Sequence, residues 1–208
     1  MTDYKKPDYW QIKAQKEGYP ARSVYKLQEM DEKFGLLKHS HSSLRVLDLG
    51  AAPGSWSLYI LRKMTQGGKP GDFLVSADIS LLSRQYDRGL FSSGNFCFIQ
   101  GDITDPVIRD LILSHGPYNL IVSDAAPATT GNRSIDAAHS LELAETAAVY
   151  TENSLAKGGN LAIKVFQGGD TAALLRHLRT LFRTAKSYKP QACRSKSFET
   201  YYIGLGKR

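Results

Sequence analysis

Carboxylates stand directly after three short apolar runs of the sequence, as Asp78, Asp102 and Asp124. An ionised carboxylate in such a place can accept hydrogen bonds from both hydroxyls of a ribose, as we expect of Asp78, or from an adenine amino group, as we expect of Asp102. A lone aspartate after a strand usually caps a helix or closes a turn. Three of them at equivalent places favour a nucleoside-binding site over that structural alternative.

A turn rich in glycine follows the first apolar run, where residues 48–56 have the sequence DLGAAPGSW. Gly50 and Gly54 allow the backbone to turn tightly and to approach a ligand closely. The dinucleotide pattern GxGxxG and the phosphate loop GxxxxGK[ST] are both absent from the sequence. The turn therefore predicts a site for a nucleoside without phosphates, and the nearby acids suit a cationic one such as S-adenosylmethionine.

Lys164 interrupts an apolar run, residues 160–166, that is expected to form a strand buried on both faces. Lysine is almost never fully buried unless it is paired. In its neutral form a lysine can accept the proton of a weakly nucleophilic hydroxyl, and a second ammonium nearby favours that form. As an ammonium it would instead orient the hydroxyl and stabilise developing negative charge. The residues leave both roles open.

Apolar runs alternate with segments of helical periodicity along most of the chain. The predicted strands are 44–49, 73–77, 96–100, 120–123, 160–166, 185–189 and 197–205. The predicted helices begin near Arg22 and continue with 55–64, 81–88, 106–114, 135–155 and 171–182. This alternation predicts an α/β fold with a mostly parallel sheet covered by helices on both faces. We expect one domain over residues 1–208, with an arm and helix at 1–43 and the core at 44–208.

The net charge of +7 is unevenly distributed. Residues 1–45 carry +3, residues 46–175 carry −4 and residues 176–208 carry +8. Basic ends flanking an acidic middle fit a polyanionic partner held by the two ends, although a solvated basic face would have the same composition. No apolar run is long enough to cross a membrane, and no signal peptide begins the sequence. We expect a cytoplasmic protein without a membrane partner.

Two cysteines, Cys97 and Cys193, stand far apart, and the five histidines form no HExxH pair. This spacing does not match a metal-ligand pattern. We therefore expect no bound metal.

Four motifs in order resemble the FtsJ/RrmJ family of ribose 2′-O-methyltransferases. They are YKL at 25–27, DLGAAPGSW at 48–56, SDAAP at 123–127 and IKVFQ at 163–167. The resemblance covers about residues 9–205. It implies a class I (Rossmann-like) methyltransferase fold, with a doubly wound sheet of seven strands, the last one antiparallel, and an N-terminal helical extension.

The resemblance also implies particular site residues. The family's catalytic tetrad maps to Lys26, Asp124, Lys164 and Glu199. The residues implied to bind S-adenosyl-L-methionine are Gly50, Gly54, Trp56, Asp78, Asp102 and Asp124. By themselves, Lys26 on an amphipathic helix and Glu199 on an edge strand would be read as solvated charges.

The sequence departs from the family pattern in three places. Ser55 replaces the second glycine of APGGW, and we expect it to be tolerated as the N-cap of a helix. The SDMAPN motif has become SDAAPA at 123–128, and only Arg22 remains of the basic segment before YKL. These departures bear on the identity of the substrate more than on the chemistry.

We predict RNA as the partner of a monomeric enzyme, with Arg22, Arg194 and Lys196 contacting phosphates. Ribosomal RNA, and first a uridine of the large subunit, is the expected target, with tRNA and an mRNA cap as alternatives. A non-catalytic RNA-binding or ribosome-assembly factor of the same fold is a further alternative, which the intact tetrad disfavours. A small-molecule methyltransferase is disfavoured by the basic ends of the chain.

Overall fold

A computed structural model describes residues 8–38, 43–128, 130–168, 170–194 and 197–208 of the chain. Its α-helices are α1 (Tyr9–Lys16), α2 (Val24–Phe34), α3 (Ser55–Gly67), α4 (Pro106–Ser114), α5 (Arg133–Ser154) and α6 (Thr171–Leu181). Its strands are β1 (Arg45–Leu49), β2 (Phe73–Asp78), β3 (Phe96–Gln100), β4 (Tyr118–Ser123), β5 (Leu155–Phe166), β6 (Phe182–Tyr188) and β7 (Glu199–Lys207).

The seven strands form one sheet in the order β3-β2-β1-β4-β5-β7-β6. Neighbouring strands from β3 to β5 are parallel, whereas β7 lies antiparallel between β5 and β6. The predicted α/β class and the antiparallel last strand are therefore confirmed. The chain order reverses between β1 and β4, and in open sheets of this kind ligands bind at the carboxyl ends of the strands beside such a reversal.

Helices cover both faces of the sheet because the strands are apolar on both faces. In β1, Val46 packs with the cluster that α2 and α3 complete, and the next residue, Leu47, packs with the cluster that α4, α5 and α6 complete. Helix α2 contributes Leu27 and Met30 to the first cluster, as its predicted amphipathic face requires. This packing fixes α2 against the sheet, and the catalytic candidate Lys26 lies on that helix.

The prediction of a helix at 81–88 is wrong, because residues 79–89 form a loop after β2. The backbone N–H of Ser83 donates to the carbonyl of Pro53 instead of continuing a helix. The segment ends with two left-handed residues, Arg88 at φ 47° and Gly89 at φ 83°, which no α-helix can contain. A short 3₁₀ turn follows at Leu90–Ser92. The loop consequently packs against the turn after β1.

Among the described residues, no helix combines the length and the apolar character that crossing a membrane requires. No group of three or more His, Cys, Asp or Glu side chains in that part of the chain is arranged to bind a metal ion.

Candidate active site

A cavity of about 560 Å³ opens at the carboxyl ends of β1, β2, β3 and β4. Gly50, Asp78, Asp102 and Asp124 all line it. The three carboxylates that the sequence placed after successive strands therefore share one cavity wall. Parallel strands bring their carboxyl ends to the same edge of a sheet, which is why residues so far apart in the chain meet here.

Gly50 begins the turn after β1 and adopts a left-handed conformation with φ 71°. A Cβ atom added there would lie 2.5 Å from the Cα of Ala125. The two loops that bound the cavity thus approach each other more closely than any side chain at this position would allow. Only glycine satisfies both the backbone angle and the contact.

Asp78 holds two backbone segments at the cavity. One carboxylate oxygen accepts from the N–H of Ala52 at 2.9 Å, and the other accepts from the N–H of Ser80 at 2.7 Å. Each oxygen has a second lone pair, so these bonds leave acceptor capacity for a ligand. Asp78 therefore shapes the turn after β1 and also offers acceptors to the cavity that it lines.

Asp102 is exposed, and within the described part of the chain only one of its two oxygens accepts hydrogen bonds. That oxygen, Oδ1, accepts from the N–H of Thr104 at 2.8 Å and from its hydroxyl at 2.7 Å. Hydrogen bonds from the backbone and then from the side chain of Thr104 lower the pKa of Asp102. The carboxylate is consequently ionised at neutral pH and oriented for a donor group.

Gly54 and Trp56, by contrast, do not line this cavity. Gly54 has φ 104°, and a Cβ there would lie 2.8 Å from the ring of Phe91. The buried Trp56 donates its indole N–H to the carbonyl of Ser23 at 2.8 Å and packs on Tyr201, with 5.9 Å between ring centroids. Both residues support the turn and the start of α2, and contact of either with a cofactor remains a prediction.

Ser55 is not the N-cap of α3, so that prediction is wrong. Gly54 occupies the cap position, and Ser55 is the first helical residue. Its hydroxyl accepts from the N–H of Ala21 at 2.8 Å and lies 3.2 Å from the carbonyl of the same residue. Together with the bond from Trp56, this contact ties the segment before α2 to the turn after β1. The position of Lys26 on α2 thus depends on the turn after β1.

The four tetrad residues predicted by resemblance meet at one end of the sheet. Lys164 on β5 donates to Oδ1 of Asp124 at 3.0 Å and also to its main-chain carbonyl. Lys26 on α2 donates to Glu199 on β7 at 2.8 Å. The two lysines and Glu199 are each less than 10% exposed. The sequence thus places two ion pairs in a largely buried position between α2 and the sheet.

Tyr201 belongs to the same cluster, although the sequence did not predict it as a site residue. Its buried hydroxyl donates to Oδ1 of Asp124 at 2.6 Å, and Nζ of Lys26 lies 5.9 Å from its ring centroid. In the β5–β7 register Tyr201 is paired with Lys164. The available signal was its spacing of two from Glu199, which puts both side chains on the same face of β7.

Burial and neighbouring charges shift the pKa values of Lys26 and Asp124 in opposite directions, and the effect of the charges is the larger. Burial would lower the pKa of Lys26, but Asp124 and Glu199 raise it above its ordinary value. Burial would raise the pKa of Asp124, but Lys164, Lys26 and hydrogen bonds lower it. Lys26 therefore stays an ammonium and Asp124 a carboxylate at neutral pH. Lys26 in this state cannot act as the proton acceptor.

A second cavity, of about 500 Å³, lies beyond the Lys26–Glu199 pair and includes both residues in its wall. Arg22 and Arg194, two of the predicted phosphate contacts, also line it. Arg22 forms an ion pair with Asp8 and donates to the carbonyl of Ala192 at 2.6 Å. The side chain of Arg194 is 55% exposed. The third predicted contact, Lys196, lies outside the described residues.

Asp48 is fully buried at the end of β1, beneath the Gly50 turn. One carboxylate oxygen accepts from the hydroxyl of Ser57 at 2.7 Å, and the other has no hydrogen-bond partner among the described residues. Burial raises the pKa of this carboxyl to about 7, with Asp124 and Asp78 adding to the effect and Ser57 opposing it. Asp48 therefore binds a proton in the folded state over a pH range where the unfolded chain does not.

This difference predicts how stability depends on pH. Folding raises the pKa of Asp48, so its ionisation costs the folded state stability as pH rises from about 4 to 7, and the cost is constant above that range. Asp48→Asn keeps an acceptor for Ser57 and lacks this titration. We expect the variant to gain stability relative to the wild type between pH 5 and pH 8 in urea unfolding. If the free energies of unfolding of the variant and the wild type differed by the same amount at pH 5 and at pH 8, the raised pKa of Asp48 would be contradicted.

This strand order, with an acid-lined cavity at the point where the order reverses, is the architecture of class I methyltransferases. The model of the FtsJ-like methyltransferase family matches residues 19–207. The chain belongs to that family.

Named relatives agree with this membership. Ribosomal RNA large subunit methyltransferase E of Treponema denticola is 48% identical over 203 residues, which are 97% of this chain and 96% of the relative. The protein of the same name from Borrelia garinii subsp. bavariensis is 43% identical over 197 residues, covering 95% of each chain. A crystal structure from Plasmodium falciparum, described as that of a ribosomal RNA methyltransferase, superposes with a TM-score of 0.74 at 28% identity, over 91% of this chain and 98% of the other.

Proposed function

We propose that this protein transfers a methyl group from S-adenosyl-L-methionine to a ribose 2′-hydroxyl of ribosomal RNA, with a uridine of the large subunit as the target. The observation that carries the proposal is the Lys164–Asp124 ion pair: Asp124 lines the acid-lined cavity, and the Lys26–Glu199 pair of the same cluster lines the arginine-lined one. The names of the relatives support the choice of large-subunit RNA. In this proposal the enzyme acts as a cytoplasmic monomer.

The residues of the first cavity fit S-adenosylmethionine. Four carboxylates, those of Asp78, Asp102, Asp124 and Glu142, face a volume of about 560 Å³, and among the described residues no lysine or arginine lines it to bind a phosphate. Asp78 would hold the ribose hydroxyls and Asp102 the adenine amino group. When bound, this cofactor supplies a methyl group activated by a positively charged sulfur. The acidic wall is complementary to that charge.

The chemistry requires the 2′-hydroxyl to lose its proton as its oxygen bonds to the methyl carbon. The bond from that carbon to sulfur breaks at the same time, and its electron pair stays on sulfur. Lys164 in its neutral form would take the hydroxyl proton, leaving an ammonium that Asp124 stabilises. In the other role, its ammonium orients the hydroxyl and stabilises the developing negative charge while solvent takes the proton.

Lys26 and Glu199 would support Lys164 without exchanging protons themselves. The pKa of Lys26 is raised chiefly by Asp124 and Glu199 against the effect of burial, so its positive charge persists at working pH. That charge offsets the negative charge of Asp124, whose pKa it helps to lower. Glu199, at 2.8 Å, holds Lys26 in place.

The decisive test is transfer of tritiated methyl groups from S-adenosylmethionine. Total RNA, tRNA, capped mRNA and large ribosomal subunits from cells lacking the protein would be compared as acceptors. We expect label in large-subunit RNA at one uridine ribose. Label in tRNA or a cap would transfer the function to those substrates. Binding of RNA without any label would favour the non-catalytic alternative, and label in a small metabolite alone would exclude an RNA enzyme.

Asp78→Asn should weaken binding of S-adenosylmethionine by about 1–3 kcal/mol, the range for hydrogen bonds to a charged group. The measurement is calorimetry on the purified protein. Asp105→Asn is the matched control, because Asp105 caps α4 through the N–H groups of Val107 and Ile108 and does not line the cavity. An unchanged affinity in Asp78→Asn would remove this residue from the cofactor site. NADH binding as tightly as S-adenosylmethionine would overturn the cofactor proposal.

Arg194→Gln should reduce the salt dependence of RNA affinity. Each lost phosphate contact lowers the slope of log affinity against log salt by about one unit. Lys157→Gln is the control, since Lys157 is exposed and lies towards the other end of β5 from Lys164. Equal slopes for the wild type and both variants would mean that Arg194 touches no phosphate.

A further inference from the structure

The second cavity contains two aromatic rings that the proposed chemistry does not use. Phe166 stands two residues after Lys164 on β5, so both side chains point to the same face of the strand. The Nζ atom of Lys164 lies 6.0 Å from the centre of the Phe166 ring. An aromatic surface therefore begins directly beside the atom that would contact the 2′-hydroxyl.

Phe198 extends this surface towards solvent. Its ring meets that of Phe166 at 4.7 Å between centroids and an angle of 66°, an edge-to-face contact. It precedes Glu199, which is paired with Lys26, and it is only half-buried. Phe166, at 9% exposure, forms the back of the cavity, whereas the partly exposed ring of Phe198 lies at its surface, where a planar group could stack on it once Arg133 moves away. A nucleic-acid base is such a group.

Arginines surround the aromatic surface. The guanidinium of Arg133 lies over the ring of Phe198, 5.1 Å from its centre. Arg133 is the first residue of α5, where the helix dipole is positive, and among the described residues no carboxylate pairs with it. Arg22 and Arg194 also line the cavity. These charges suit the phosphates on either side of a base.

The acids of the cavity are already engaged. Asp136 accepts from the N–H of Thr130 at 2.7 Å and from its hydroxyl at 2.8 Å. Glu199 is paired with Lys26. The cavity therefore combines an apolar aromatic surface with three arginines, and this chemistry fits a nucleotide better than the cationic cofactor. The acid-lined cavity on the other side of the tetrad has the opposite character.

Building on the function proposed above, we propose that this cavity binds the target nucleotide of the RNA, unstacked from its neighbours. Its base stacks on Phe198, and the guanidinium of Arg133 moves from the ring to an adjacent phosphate. The Phe166 ring lies 6.0 Å from Nζ of Lys164 and 4.7 Å from the ring of Phe198, so the three groups are close enough for the ribose and the base of one nucleotide to contact them. Proteins that recognise single-stranded RNA commonly stack its splayed-out bases on aromatic side chains.

The test compares Phe198→Leu with Phe198→Tyr on an acceptor that the wild-type enzyme methylates. Stacking of a base on an aromatic side chain contributes about 1–3 kcal/mol, which corresponds to about 5- to 150-fold. We expect Phe198→Leu to lower kcat/KM for RNA by that factor and Phe198→Tyr, which keeps the ring, to stay within about twofold of the wild type. Affinity for S-adenosylmethionine should be unchanged in both.

Phe34→Leu is the control for losing an aromatic ring, because Phe34 packs on Tyr188 outside the cavity. It should keep wild-type kcat/KM. If Phe198→Leu does not fold, the exposed Arg133 gives an independent measurement. Arg133→Gln should lower the salt slope of RNA affinity by about one unit, the value of one phosphate contact.

Two outcomes would overturn the nucleotide pocket. One is equal kcat/KM for Phe198→Leu and the wild type, and the other is an unchanged salt slope in Arg133→Gln. Either result with an active wild type leaves the proposed function intact, because methyl transfer itself is then demonstrated. An inactive wild type on every RNA would instead refute the proposed function.

Discussion

Lys164→Ala should reduce the turnover of methyl transfer by roughly 100-fold or more, the usual scale for a positioned acid–base group. Lys164 is 7% exposed and bonded to Asp124, and in the proposed reaction it meets the hydroxyl oxygen only as the methyl group moves. Its loss therefore damages the transition state more than the bound ground states. Affinity for S-adenosylmethionine should barely change, and RNA affinity should fall slightly. Single-turnover transfer and calorimetry measure these effects separately.

Lys164→Arg distinguishes the two roles left open for this residue. Guanidinium remains protonated at working pH and cannot accept a proton, so a general base would not be rescued. If Lys164→Arg retained substantial turnover, the role of Lys164 would be to orient the hydroxyl and to stabilise the developing negative charge. Lys157→Ala, on the same strand but outside the cluster, controls for the loss of a lysine and should retain full activity. Full activity of Lys164→Ala would show that the tetrad has been assigned wrongly.

The sheet could be predicted because its information is local in the sequence. Apolar runs of strand length, separated by helical segments, imply right-handed crossovers and a parallel sheet, and few strand orders satisfy those rules. The position of Asp78, Asp102 and Asp124 followed for the same reason, since parallel strands end at one edge. Lys164 could be selected because a lysine is unexpected in a strand buried on both faces.

Features that depend on contacts between distant segments could not be predicted in this way. The loop at 79–89 has helical periodicity, but Ser83 bonds to Pro53 across the turn after β1. Ser55 is a good N-cap by type, yet its hydroxyl reaches Ala21 instead. Tyr201 appeared as one aromatic among several on an edge strand, and only the β5–β7 register brings its hydroxyl to Asp124. These contacts join segments that are far apart in the chain, so no short stretch of sequence indicates them.

Asp124→Asn should have the largest combined effect on stability and activity. Asp124 accepts from Lys164 and from Tyr201, and its charge also raises the pKa of Lys26. Replacing it with a neutral amide leaves two lysines in a buried site where, among the described residues, Glu199 is the one remaining carboxylate paired with either of them. Breaking a buried ion pair typically costs about 3–5 kcal/mol. We expect a stability loss of that order at pH 7 in urea unfolding, and a fall in turnover of roughly 100-fold or more.

The pH dependence of that loss identifies its cause. Folding lowers the pKa of Asp124, mainly through Lys164 and Lys26 acting against burial, so its contribution to stability is complete above the unfolded pKa and disappears as pH falls through the folded value. The difference between the wild type and Asp124→Asn should therefore be full at pH 7 and shrink as the solution is acidified below about pH 4. If the stability difference stayed constant until both proteins unfolded in acid, its cause would be altered packing and not the loss of the charge.

Asp31→Asn is the matched control for removing a buried carboxylate. Asp31 accepts hydrogen bonds from the hydroxyl of Tyr59 and the N–H of Leu37, and it lies on α2 outside the tetrad. Its replacement should cost stability without the loss of turnover, because neither lysine of the cluster depends on it. If Asp31→Asn and Asp124→Asn lost turnover equally, the effect would come from weakened folding, and Asp124 would have no particular part in methyl transfer. A selective loss in Asp124→Asn would show that the buried charges are needed for the reaction as well as for the fold.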